Sequence, residues 1–201
     1  MSAVRDIVAP DLDVLFVGYN PGTKSGSSGH HFAGPGNLFW ALLADSGLTG
    51  HRLRPEQDRE ILAWRLGITN IVDRVTPGSQ DLNGDELTEG AHRLHRKIHR
   101  LAPKLVTFLG KDIYRAYAQS PKSSVMAWGL QHNSDSGVLY YVAPNPSRRS
   151  TLPYDLRLRY FREVKNLVIW GTEPILEGYP RQFEKSIATV RKYDTLWTGA
   201  E

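Results

Sequence analysis

The chain has 201 residues, no cysteine, a net charge of +4 at neutral pH and a pI near 9.3. With 40% hydrophobic and 23% charged residues it has the composition of one globular domain with a proper core. The missing cysteines exclude disulfides, zinc–thiolate sites and thiolate catalysis. No apolar run approaches the roughly 20 residues of a membrane span. The start, MSAVRDIVAPDLD, lacks the apolar core of a signal peptide, so the expected location is intracellular, a bacterial cytoplasm or nucleoid or a nucleus. The mild basic bias is compatible with a nucleic-acid partner and is concentrated in HRLHRKIHRLAPK (92–104) and NPSRRSTLPYDLRLRYFR (145–162).

In chain order, DVLFVG (13–18) is the first apolar run and predicts a buried strand. It opens into GYNPGTKSGSSGHHFAGPGNLFW (18–40), rich in glycine, with two prolines and two adjacent histidines, which predicts an irregular loop built around a ligand. Helical patterns follow at 37–47 and 54–66. GITNIV (67–72) is the second strand, trailed by the polar stretch TNIVDRVTPGSQDL (69–82). A helix over 84–101 leads to the strand KLVTFLG (104–110), a helix over 111–119, the strand VLYYVA (138–143), the loop APNPSRRS (143–150) and a last helix over 153–170.

Strands alternating with helices predict an α/β fold, a mostly parallel central sheet covered on both faces in three layers. Ligands in such folds sit in the crevice beyond the strand C-termini. The three polar loops belong there. One domain is expected over 1–201, with its body at about 12–170 and a C-terminal extension from 171. Three histidines, His92, His95 and His99, share one helix face. With Arg93, Arg96, Lys97 and Arg100 around them and Leu94, Ile98 and Leu101 opposite, a solvated basic face is expected, and no metal.

GYNPG, GHHFAGPGNLFW, TNIVDRVTPGSQDL and NPS, in this order, resemble the motifs of the mismatch-specific uracil and thymine DNA glycosylases of the uracil-DNA glycosylase superfamily. The resemblance covers roughly residues 12–170. It implies a monofunctional glycosylase that flips a uracil mispaired with guanine out of double-stranded DNA and hydrolyses its N-glycosidic bond, beginning base excision repair. Thymine and damaged pyrimidines are further candidate bases. The resemblance implies a monomer with neither cofactor nor membrane association. No lysine in the motifs is placed to form a Schiff base, and Lys24 has no such role in the resembled families.

Residue by residue, the resemblance makes Asn20 the catalytic group that positions the attacking water and aligns Thr76 with a catalytic threonine near that water. An amide holds a water without taking its proton, where relatives with Asp or Glu have a true base. Phe32 is the stacking face for the flipped base, His31 and Asn37 line the pocket, and Asn70 reads the pyrimidine edge. Asn145 holds the nucleotide. Ser147, Arg148, Arg149 and Ser150 form the loop that enters the duplex, with Arg149 as the inserted side chain. Tyr19 stands where the family has a small aliphatic residue; its phenol either narrows the pocket against thymine's methyl group or points away from it. Ser25 also departs from the thymine branch and alters the pocket shape. Asp73 and Asp81, close to the second motif, are candidate replacement carboxylates, Asp73 otherwise forming an ion pair with Arg74. Two other classes stay open: a small-molecule N-glycosidase or nucleotide hydrolase on this scaffold, and a damaged-DNA-binding module without catalysis.

Overall fold

Three strands buried along their whole length and two partly buried ones pair into one five-stranded sheet in the computed structural model, which describes residues 4–131 and 137–170. Strands β1 (Val14–Gly18), β2 (Leu66–Asn70) and β3 (Leu105–Phe108) are buried at every position. With β4 (Gly129–Gln131) and β5 (Leu139–Val142) they take the order β2-β1-β3-β5-β4. All pairings are parallel except that of β4 with β5. β1 connects toward β2 on one side, and the chain then crosses to β3 on the other. The switch in direction therefore falls between β1 and β3, where a crevice opens beyond the strand ends.

Register assigns the faces. Phe16 in β1 packs edge-on against Phe39 of helix α2 (Phe39–Asp45) at 5.4 Å and stacks on Phe161 of helix α5 (Tyr154–Trp170) at 6.0 Å. Val17 is the register partner of Phe108, so Phe108 projects to the opposite face. There it meets Tyr114 and Tyr117 of helix α4 (Lys111–Tyr117), which packs beside helix α3 (Gly84–Leu101). The predicted three-layer α/β architecture is what forms. Leu94 and Ile98 of α3 are buried, and His92, His95 and His99 are exposed. His95 also reaches the Tyr117 hydroxyl at 3.2 Å.

Three elements differ from expectation. The predicted helix at 54–66 is a 3-10 helix over Pro55–Trp64. Its inward residues Asp58 and Ile61, flanked by half-buried Pro55 and Trp64, recur every third position, the period at which 3-10 side chains eclipse. The glycine-rich loop contains a short helix α1 (Thr23–Ser28), and three-residue β4 had no alternating pattern long enough to read. The C-terminal extension expected from 171 lies outside the described residues. No helix among the described residues is long and apolar enough to cross a membrane.

Helix α3 lies so close to the end of β2 that a Cβ on Gly90 would collide with the Ile71 carbonyl, which is backbone and cannot swing away. Gly84, at the start of the same helix, has open space around its Cβ position. Gly90→Ala is expected to cost about 1–3 kcal/mol of stability by overpacking. Gly84→Ala is expected to stay within about 1 kcal/mol of the parent, on the stabilising side. Urea unfolding of the two variants checks the pair.

Candidate active site

The loops after β1 and β2 are zipped together by backbone hydrogen bonds: Ile71 N–H to Gly18 O (3.0 Å), Val72 N–H to Tyr19 O (3.0 Å) and Thr76 N–H to Pro21 O (3.2 Å). This continues the β1–β2 pairing beyond the sheet and brings Asn20 against Thr76. The Asn20 amide nitrogen donates to Arg74 O at 2.8 Å, to Thr76 Oγ1 at 2.7 Å and more weakly to Pro21 O at 3.3 Å. Carbonyl oxygens only accept, so the amide has one orientation, with Nδ2 toward Arg74 and Oδ1 turned the other way. Thr76 is buried and spends its own hydrogen on Gly78 O at 2.6 Å. Its hydroxyl therefore accepts from Asn20 and aligns it.

Arg74 is fixed in turn. Its guanidinium bonds both Glu86 oxygens at 2.5 and 2.9 Å and Asp81 O at 2.8 Å. Glu86 closes the α3 capping box with Asn83, and the Arg74 bonds hold its carboxyl down at about 2. The expected Asp73–Arg74 pair is thus replaced by Arg74–Glu86, because α3 presents Glu86 on the side to which Arg74 turns. Neither Asp73 nor Asp81 lines the cavity. Asp73 is exposed, and Asp81 accepts from Gly78 N–H at 3.0 Å to close a turn.

The crevice is a cavity of about 810 Å³, within the range of small-molecule sites. It gathers Tyr19, Asn20, Ser25, His31, Phe32 and Asn37 from the first loop. Asn70 and Thr76 come from the second, and Asn145 and Ser147 to Ser150 from the last. Behind the cavity, a Cβ on Gly18 at the end of β1 would strike the Asn70 amide oxygen and stand 3.7 Å from the Phe32 ring. Asn70 is 7% exposed, and its amide has no hydrogen-bond partner among the described residues. Its side-chain atoms are not sealed in the core but open on the cavity, where a ligand can pair with them. The amide offers both a donor and an acceptor.

Phe32 adopts a positive φ of +52°, a conformation that costs a non-glycine residue about 1–3 kcal/mol unless its surroundings impose it. The imposing groups are visible. His31 N–H donates to buried Asp58 at 3.0 Å, and Trp40 Nε1 donates to His31 O at 3.3 Å. Ala33 N–H donates to Ser25 Oγ at 3.1 Å. The Phe32 ring stacks on Phe39 at 4.0 Å. Ser25 is therefore a staple of the loop as well as a wall residue. Asn37 likewise accepts from Phe39 N–H at 3.0 Å, turning the chain into α2.

His31 is 2% exposed and its Nε2 lies 3.0 Å from Arg5 O, which fixes the proton on Nε2. Tyr19 is half-buried, its phenol pushed up first by burial and then by Asp112, with Arg115 opposing. Asp112, the one carboxylate among the cavity-lining residues, is ion-paired with Arg115.

In the last loop, Asn145 Oδ1 accepts from Ser147 N–H at 2.8 Å, and Ser147 Oγ accepts from Arg149 N–H at 3.2 Å. Ser150 N–H closes onto Ser147 O at 3.0 Å. Arg148 and Arg149 are exposed. The Arg148 stem lies along Gly36, and Arg149 spans the mouth to Pro77 O at 3.3 Å. Two organising residues escaped the sequence-based expectations. Asp58 is one. The other is Arg157 of α5, 5% exposed, whose guanidinium bonds Leu152 O (2.8 Å), Ser150 O (2.8 Å), Ser147 O (3.1 Å) and Asn145 O (3.5 Å). Burial lowers its pKa. The only sequence signals were a carboxylate at the buried phase of a three-residue period and an arginine among apolar helix positions.

Burial pushes the His31 imidazole below the ordinary histidine value, against opposing contributions from Arg5 O and Asp58. Stability that depends on the neutral ring is complete above about pH 6.5, the unfolded value, and is lost as pH falls toward the lower folded value. Urea midpoints at about pH 7.5 and about pH 5.5 are expected to drop further for the parent than for His31→Gln, which keeps an N–H donor without the titration.

A family model described as the Uracil DNA glycosylase superfamily matches residues 5–169, which takes in all five strands, the cavity and nearly all of α5. By that match and by its fold, the chain belongs to the uracil DNA glycosylase superfamily, hydrolases that release bases from DNA.

Proposed function

We propose that the protein is a monofunctional, mismatch-specific glycosylase that removes uracil opposite guanine from duplex DNA. The supporting observation is the Asn20 amide. Its nitrogen is occupied by Arg74 O and Thr76, so its oxygen is the end left for a ligand inside the cavity. An amide oxygen there orients a water toward C1′ without deprotonating it. The rate then depends on base departure as an anion and on donors that meet the developing charge.

Phe32 supplies the face on which the extruded base stacks, held rigid before the base arrives. Base–aromatic stacking is worth about 1–3 kcal/mol and does not depend on base identity. Asn70 supplies the unpaired amide to the base edge, and identity is read there. Thr76 acts as a positioning residue through Asn20. Arg149, across the mouth, is the side chain that fills the gap left in the duplex. Tyr19 narrows the cavity beside the base and disfavours a 5-methyl group.

Duplexes carrying U·G, U·A or T·G, and single-stranded U, followed by alkaline cleavage of abasic sites, test the assignment. Cutting of U·G is expected, with T·G weaker and raised by Tyr19→Ala. No cutting in any lane at excess enzyme would overturn the assignment. Asn20→Ala is expected to lower single-turnover cleavage about 10²- to 10⁴-fold while keeping duplex affinity. That outcome also separates an enzyme from a binding module. Thr76→Val removes one aligning hydrogen bond. About a 3- to 10-fold loss of the single-turnover rate is expected, with affinity unchanged.

A further inference from the structure

The antiparallel edge strand delivers a loop to the functional end of the sheet. Gly129, where β4 begins, pairs with Val142, where β5 ends. The segment before it, residues 120–128, therefore lies at the crevice end, at the β4 edge of the strand order. Arg149 instead reaches toward Pro77, in the loop that follows β2 at the other edge.

This loop is pinned. Arg115 donates to Ser124 O at 3.3 Å, and Ser124 N–H closes a turn onto Pro121 O at 2.9 Å. Met126 and Trp128 pack against the core, and Lys111 sits 4.5 Å over the Trp128 ring. Lys111, Arg115 and Trp128 line the same cavity as Asn20 and Phe32. Val125, between the pinned residues, is 97% exposed, the most exposed large apolar residue described. No carboxylate occurs from 113 to 131, a span that also carries Lys122.

We propose that this loop is a second duplex-DNA contact, at the β4 edge of the cavity, away from the β2 side toward which Arg149 reaches. Lys122 and Lys111 meet backbone phosphates, and Val125 rests on a groove wall or an opened base step. Continuity with the cavity and the sign of the charge select a nucleic acid as the occupant. An apolar tip between cations matches a bent or unstacked duplex better than a small anion. The proposal rests on duplex DNA being the substrate. It adds a contact at the β4 edge of the cavity to the one made by Arg149.

The chain has no cysteine, so Val125→Cys introduces a unique thiol at an exposed position. Its alkylation rate is measured with and without a saturating duplex that carries a tetrahydrofuran abasic site. Protection of about tenfold or more is expected. Lys122→Ala should reduce the slope of log K against log salt by about 0.9, one phosphate contact. Val125→Ala should weaken duplex affinity by about 3- to 10-fold with the saturated cleavage rate unchanged. An unprotected thiol, together with parent affinity and salt slope in both alanine variants, would overturn the second contact while the parent still cuts U·G. A parent that neither binds nor cuts any of the duplexes would instead overturn the substrate, and the second contact with it.

Discussion

A side-chain amide is nearly symmetric in shape and wholly asymmetric in chemistry, and the site turns on which end of Asn20 faces which way. Two backbone carbonyls and an already committed hydroxyl leave only the nitrogen end acceptable on the Arg74 side. The carbonyls are placed by the zipped loops after β1 and β2. Those loops are placed by the β1–β2 register, and Arg74 is held by the α3 cap. One oxygen atom in the cavity is thus oriented by sheet pairing, a helix cap and a guanidinium–carboxylate bridge. None of these need change when a substrate enters, which is what preorganisation requires.

The same logic governs the aromatic wall. A left-handed phenylalanine would relax if its neighbours allowed it. Asp58, Trp40 and Ser25 hold the backbone on both sides of Phe32, and Phe39 occupies the space behind the ring. The conformational cost is met by bonds made at folding, so it does not recur at each turnover. Burying the Asp58 carboxylate is tolerable because the His31 N–H and the His30 ring, 3.3 Å away, both face it.

The strands and the layer order were legible because whole-length apolar runs alternate with helical periods. The loops at the crevice were legible because Asn-Pro, glycine and serine cluster just beyond strand ends. What escaped was of two kinds. Period-three burial of Asp58 and Ile61 resembles a helix in a short window, so the 3-10 helix read as an α-helix. Long-range pairings such as Arg74 with Glu86, Arg157 with four carbonyls and Arg149 with Pro77 O depend on how loops meet in space. No local pattern carries that information. The Arg74 partner was misplaced for this reason: Asp73 is adjacent in sequence, and Glu86 is adjacent in the fold.

Arg157 recognises the last loop only through main-chain oxygens. Those acceptors are the same whatever side chains the loop carries. The shape of the segment is thereby written in a helix outside it and in Asn145 and Ser147 within it, and its side chains at 148 and 149 are released from any duty to hold that shape. Such a division makes the segment a cassette. Its contact chemistry can be exchanged by evolution or by design while the arch that presents it stays in place.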